Sequence, residues 1–259
     1  MPLLNWQMEQ LESLLLIFTR ITGIFLAAPV LSSARIPPQV KVGLSLLVAM
    51  VLCPVVAAPA ALATETITFV LLVLKEAIVG LTFGFVANLV FTSVQMAGEI
   101  ADMQAGYAFA GMIDPTTGQH TSIIGQFQIM MAWLIFLAVD GHHILLSGIA
   151  DSFAVVPLGA LTFNAGVVGG IMSLSSRIFV IALQIGAPIL GAVLLGDLAL
   201  GLLSRTVPQL NLLVLGFPVK MLLGLIMLVI ALPLSLVLER NLVYLMKGAV
   251  TQLLSLAAH

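Results

Sequence analysis

Between Lys41 and Glu65 this chain carries no charged residue, and apolar runs of similar length recur along its 259 residues. A helix needs about 20 mostly apolar residues to cross a bilayer. The charges divide the chain into stretches of that size. These are 13–31, broken by Arg20; 42–64; 66–98, broken by Lys75 and Glu76; 123–139; 165–203, broken by Arg177 and Asp197; and 212–238, closed by Glu239 and Arg240. The simplest reading is six spans in an all-α, polytopic membrane protein, its first helix retained and not cleaved as a signal. The stretch 165–203 is long enough for one tilted or kinked helix, or for a short helix and a span. Lys and Arg then divide four against two between the two sides, which places the N-terminus outside.

Only 8% of the residues are charged, against about 25% in a soluble domain. Lipid and other protein must therefore replace water around most side chains. The net charge is −2, with no basic run to collect phosphates, so nucleic acid is excluded as a partner. Cys53 is the only cysteine, which rules out a disulfide within the chain and reads as a small apolar residue.

Five charges fall inside apolar stretches: Arg20, Lys75, Glu76, Arg177 and Asp197. A charge at mid-bilayer costs at least about 2.5–3.5 kcal/mol, so each needs a partner. Salt bridges between subunits of an assembly, or helices that are not exposed to lipid, are preferred over a proton or ion pathway. Pro29, Pro54, Pro188 and Pro233 lie within or near apolar stretches and free carbonyls that neighbouring helices must satisfy. Gly80 and Gly84 form a GxxxG step, and Ala187 with Gly191 and Ala192 with Gly196 repeat the small-residue spacing. Such steps let helix backbones approach closely.

Residues 95–122 are the least lipid-like segment. Glu99 and Asp102 are i, i+3 neighbours on a helical face, followed by Gln104. Gly106 and Gly111 bracket Tyr107 and Phe109, Met112 and Ile113 follow, and Asp114-Pro115 begins a turn. The paired carboxylates do not make a protease. Leu194-Leu195-Gly196-Asp197 lacks the first glycine of a Gly-x-Gly-Asp site, and there is no H-E-x-x-H. His142 and His143 are adjacent, begin a loop, and point apart, so they do not chelate one metal. No enzyme, cofactor or metal is expected. An independent small-molecule or ion transporter is the competing class, but it should carry paired repeats, and none is evident.

The strings Ala97-Gly98-Glu99, Asp102-Met103-Gln104-Ala105-Gly106, Asp114-Pro115 and Gly141-His142-His143 resemble the FliR/SctT family of type III export-gate proteins. So do Leu198 to Arg205, Pro208-Gln209-Leu210-Asn211 and Gly216-Phe217-Pro218-Val219-Lys220. The resemblance covers essentially the whole chain and lies nearer the flagellar branch. It implies a core component of the flagellar export gate of the bacterial inner membrane, within the basal body. The gate is built with FliP-like, FliQ-like and FlhB-like subunits, and unfolded flagellar proteins pass through it. It also implies helical hairpins in a helical assembly held partly above the membrane. Residues 1–175 would be a FliP-like part, and 176–259 a FliQ-like hairpin turning at Pro208, Gln209, Asn211, Gly216 and Pro218. The segment from Gly106 to Pro115 would be the plug of the closed channel, and Glu99, Asp102, Gln104, Asp114, Arg177, Asp197 and Arg205 a polar network for assembly.

Overall fold

The computed structural model describes residues 2–29, 31–33, 36–56, 66–107, 122–162, 165–207 and 212–257. Among them the regular structure is entirely helical: α1 (Pro2–Ala27), α2 (Pro38–Leu52), α3 (Thr66–Ala105), α4 (Ile123–Ala138), α5 (Gly141–Val155), α6 (Ala165–Thr206) and α7 (Leu212–Ala257). The expectation of six spans is corrected. Among the described residues four helices are long and apolar enough to cross a membrane, or five if α4 and α5 together count as one span. The stretch 42–64 fails because α2 has 15 residues. Pro54 has no N–H to extend the ladder, and the chain turns over the Leu52 carbonyl, which accepts from Val55 and Val56. The four-against-two count of Lys and Arg loses its basis with the sixth span.

The last stretch also differs. Glu239 and Arg240 do not close it, because α7 runs through them to Ala257 and buries Glu239. Gly216 and Pro218, expected at a turn, lie inside the same helix. Pro218 is the seventh residue of α7, past the first turn, so its ring nitrogen leaves one carbonyl of the helix without its N–H partner.

α3, α6 and α7 contain 40, 42 and 46 residues. At 1.5 Å per residue each is roughly 60–70 Å long, about twice the hydrocarbon thickness of a bilayer. Many of their exposed residues are apolar: Leu222, Val229 and Ile230 of α7 and Leu195, Leu198 and Leu202 of α6 are all exposed.

The chain forms two compact units. The first comprises Met1–Val90, Asp140–Ser175 and Val243–His259. Its centre is α1, whose Leu16, Ile17, Ile21, Ile24 and Phe25 are at most 1% exposed. Small residues let α1 and α3 meet backbone to backbone. A Cβ on Gly80 would collide with the Arg20 carbonyl, and one on Gly84 would lie 2.6 Å from the Ile24 oxygen. Gly23 of α1 returns the contact, facing the Ala77 carbonyl. The second unit comprises Phe91–Val139 and Ser176–Leu242. Its core joins Ala101 and Ala105 of α3, Ile124 of α4, Ile189 and Val193 of α6 and Leu228 of α7. Gly98 and Gly125 touch so closely that a Cβ on Gly98 has no room. The rings of Phe91 and Phe136 meet edge to face, 5.4 Å apart. One border of these units falls at 175/176, where the resemblance divides the chain, but residues 91–139 group with 176–242.

The other small-residue steps are unequal. Gly196 faces Leu223, whereas a Cβ on Gly191 would meet nothing within 4 Å. Gly80→Val should therefore destabilise the protein by at least the ~1–3 kcal/mol of an overpacked core. Gly191→Ala should be neutral or slightly stabilising, since alanine is the better helix former. Thermal unfolding of the purified variants in detergent tests the contrast.

Candidate functional site

In the first unit the internal charges form one clamp. Arg20 of α1 and Glu76 of α3 are 0% and 1% exposed, and Arg20 Nε donates to Glu76 Oε2 at 2.5 Å. Arg20 Nη1 donates to the carbonyls of Ser152 at 3.1 Å and Val156 at 2.8 Å, which end α5. The guanidinium carbon lies 4.3 Å from the centre of the Phe153 ring, in range of a cation–π attraction. Glu76 Oε1 accepts from the Gly159 N–H at 2.8 Å, and Lys75 Nζ donates to the Gly159 carbonyl at 3.3 Å. Gly159 has φ 78°, where a side chain is strained. Adjacent residues of α3 thus hold both backbone groups of one glycine. Arg20 and Glu76 therefore pair within the chain, where protein and not lipid covers them, and Lys75 donates to a backbone carbonyl of the same chain.

In the second unit Asp102 is buried, and its Oδ1 accepts from the Ile124 N–H at 3.1 Å. Ser122 Oγ accepts from the Gly125 N–H at 2.8 Å. Two of the orphan donors at the start of α4 are therefore satisfied, one of them by a carboxylate of α3. Glu99 does not share that environment. It is exposed and accepts from Gln95 Nε2 at 2.9 Å. Gln104 is half-buried. Gly106 ends α3 at φ 89°, with the N–H groups of Gly106 and Tyr107 both donating to the Asp102 carbonyl, a left-handed cap that favours glycine. Tyr107 donates its hydroxyl to the Met221 carbonyl of α7 at 2.8 Å. Burial, with a smaller push from Asp102, holds the Tyr107 phenol above its ordinary value, so it remains a donor at neutral pH. The first two residues of the expected plug are therefore a helix cap and an anchor. Phe109, Gly111, Met112, Ile113 and Asp114 lie outside the described residues, as do Pro208, Gln209 and Asn211.

Asp197 pairs with Lys220 Nζ at 2.9 Å, which ties α6 to α7. Arg205 and Arg177 are exposed. Arg205 follows Asp197 by eight residues in the same helix and shares its face only loosely. Lys220 wins because the two helices lie side by side there, with Gly196 against Leu223.

The histidines require a correction. They do not begin a loop or point apart: they occupy the first turn of α5, with ring centres 4.2 Å apart. Both turn toward Asp140, whose Oδ1 lies 3.4 Å from His143 Nδ1 and 4.0 Å from His142 Nε2. The physical reason is the left-handed conformation of Asp140, φ 55° and ψ 33°, which takes its carboxylate away from the helix N–H groups it would otherwise cap.

Removing one member of a buried ion pair strands the other. Arg20→Leu and Glu76→Leu should each destabilise the protein by about 3–5 kcal/mol. The double variant should lose less than their sum, a coupling that a double-mutant cycle of thermal unfolding measures. Asp102→Ala should cost about 0.5–2 kcal/mol as a lost cap.

Residues 11–245 match a family described as "Bacterial export proteins, family 1". The chain is 35% identical to flagellar biosynthetic protein FliR of Bacillus subtilis over 92% of its own length and 93% of that protein. It is 33% identical to the FliR protein of Pectobacterium carotovorum, over 84% and 83% of the two chains. The FliR protein of Escherichia coli shares 32%, over 83% and 82%. The matched span takes in all seven helices wholly or in part, with the Arg20–Glu76 clamp and the Asp102 cap inside it. The chain is a membrane protein that belongs to the bacterial export proteins of family 1, together with the flagellar biosynthetic proteins FliR.

Proposed function

We propose that this chain is a core, non-enzymatic subunit of the flagellar type III protein export gate, in the bacterial inner membrane within the flagellar basal body. FliP-like and FliQ-like chains would complete the channel, an FlhB-like chain would attend it, and unfolded flagellar proteins would pass through. The observation that carries this reading is helix length. α3, α6 and α7 are each about twice as long as a bilayer core is thick, yet most of their exposed large side chains are apolar, with charges such as Glu99, Arg177, Arg205 and Arg240 only at intervals. Lipid covers at most part of such a face, and large apolar patches outside lipid are interaction surfaces. Other protein must cover the rest, as in an assembly raised above the membrane.

Within that assembly, α6 and α7 would form the FliQ-like hairpin, cross-linked by Asp197 and Lys220, and residues 1–175 the FliP-like part. Residues 106–115 would be the plug. Tyr107, held to the Met221 carbonyl, would anchor one end of it. A channel wide enough for an unfolded chain also passes ions, and a dry apolar constriction stops them. Phe109, Met112 and Ile113 have the required chemistry.

Native mass spectrometry of the detergent-extracted protein tests the assembly: FliP-like and FliQ-like chains should co-purify. A stable, monodisperse single chain would instead favour the independent transporter. Deleting residues 108–113 should leave the complex assembled but raise ion conductance in cells, at equal abundance of the complex. Unchanged conductance would move the seal to partner subunits.

A further inference from the structure

We propose that Asp140, His142 and His143 form a binding site for one divalent transition-metal ion of the zinc type. One ligand atom from each residue can be chosen so that all three lie within 4.8 Å of one another. Zinc bonds to imidazole nitrogen and carboxylate oxygen at about 2.0–2.2 Å in tetrahedral geometry, which sets donor atoms roughly 3.3–3.5 Å apart. Asp140 Oδ1 is already 3.4 Å from His143 Nδ1 and 4.0 Å from His142 Nε2. Rotation of the exposed imidazoles would have to close the remaining gap.

Three further features suit an ion. The carboxylate makes no hydrogen bond to the helix it precedes, so coordination costs no cap. Asp140 is the only non-glycine residue at positive φ among those described, and such outliers cluster at ligand clamps. The side chains of Asp140, His142 and His143 are 73%, 45% and 70% exposed, so an ion enters directly and water completes its shell, as in three-ligand zinc sites. The positive end of α5 opposes a cation, but the Asp140 carboxylate stands in that field and offsets it. Two nitrogen donors and one oxygen favour zinc, nickel or copper over magnesium or calcium, which take oxygen ligands.

The test uses the full-length chain in the assembly in which it leaves the membrane, purified through a tag free of histidine. Titration calorimetry with zinc chloride should find one ion per copy of this chain, undiminished by excess magnesium. His143→Gln and Asp140→Asn should each weaken that site more than about ten-fold, and His142→Gln with His143→Gln should abolish it. Asparagine tolerates the left-handed conformation, and His143 is exposed, so both single variants should keep the circular dichroism and melting point of the metal-free parent. Visible absorption of bound cobalt(II), lost in the double variant, gives a second readout. Absence of zinc binding, or binding that survives the double variant unchanged, overturns the proposal and leaves these imidazoles as an Asp140 hydrogen-bonding pair.

Discussion

The pairing of Arg20 with Glu76 is the interaction on which the first unit turns. Alone, either charge in a dry interior is prohibitive. Together they still need their remaining donors and lone pairs satisfied, or an apolar pair would do better. The chain meets that demand with backbone. Ser152 and Val156 lend carbonyls that a helix end leaves free, and Gly159 lends its N–H. One polar cluster thus fixes α1 against α3 and closes the end of α5. Close approach makes it possible, since Gly23, Gly80 and Gly84 bring the two backbones together around Arg20. Of the three nitrogens of that guanidinium, Nη2 has no hydrogen-bond partner among the described residues.

The second unit solves a similar problem with a different carboxylate. Asp102 sits where α3 ends and α4 starts, and it accepts from a helix start that apolar surroundings would leave unsatisfied. Its own carbonyl receives the cap formed by Gly106 and Tyr107. The same residue therefore terminates one helix through its backbone and initiates another through its side chain. Glu239 has no such arrangement: it is 3% exposed and its Oε2 has no partner among the described residues.

Much of this was legible in the sequence. Apolar length marked the helices, the Gly80–Gly84 spacing marked a close helix approach without naming its partner, and isolated charges marked the places that needed partners. What stayed hidden was non-local. Arg20 finds Glu76 56 residues away and Val156 136 away, and no periodicity encodes such a match. Asp102 looked like half of a carboxylate pair because Glu99 is one turn away, yet its acceptor role depends on α4, 22 residues on. Hydropathy also misjudged α2, because the run 42–64 is apolar enough but Pro54 ends the helix inside it. The histidines were misread for a backbone reason, since a left-handed Asp140 cannot be inferred from residue type.

The Arg20 clamp also has a consequence in time. A ribosome adding about 5–20 residues per second delivers Val156 roughly 7–27 seconds after Arg20. Glu76 arrives 56 residues after Arg20, or roughly 3–11 seconds later at the same pace. For that first interval the guanidinium has no carboxylate, and for the rest of the wait it has a carboxylate but no backbone acceptors. The first helix therefore emerges with an unpaired charge that lipid penalises by at least about 2.5–3.5 kcal/mol, and its final seat exists only once Val156 has been made.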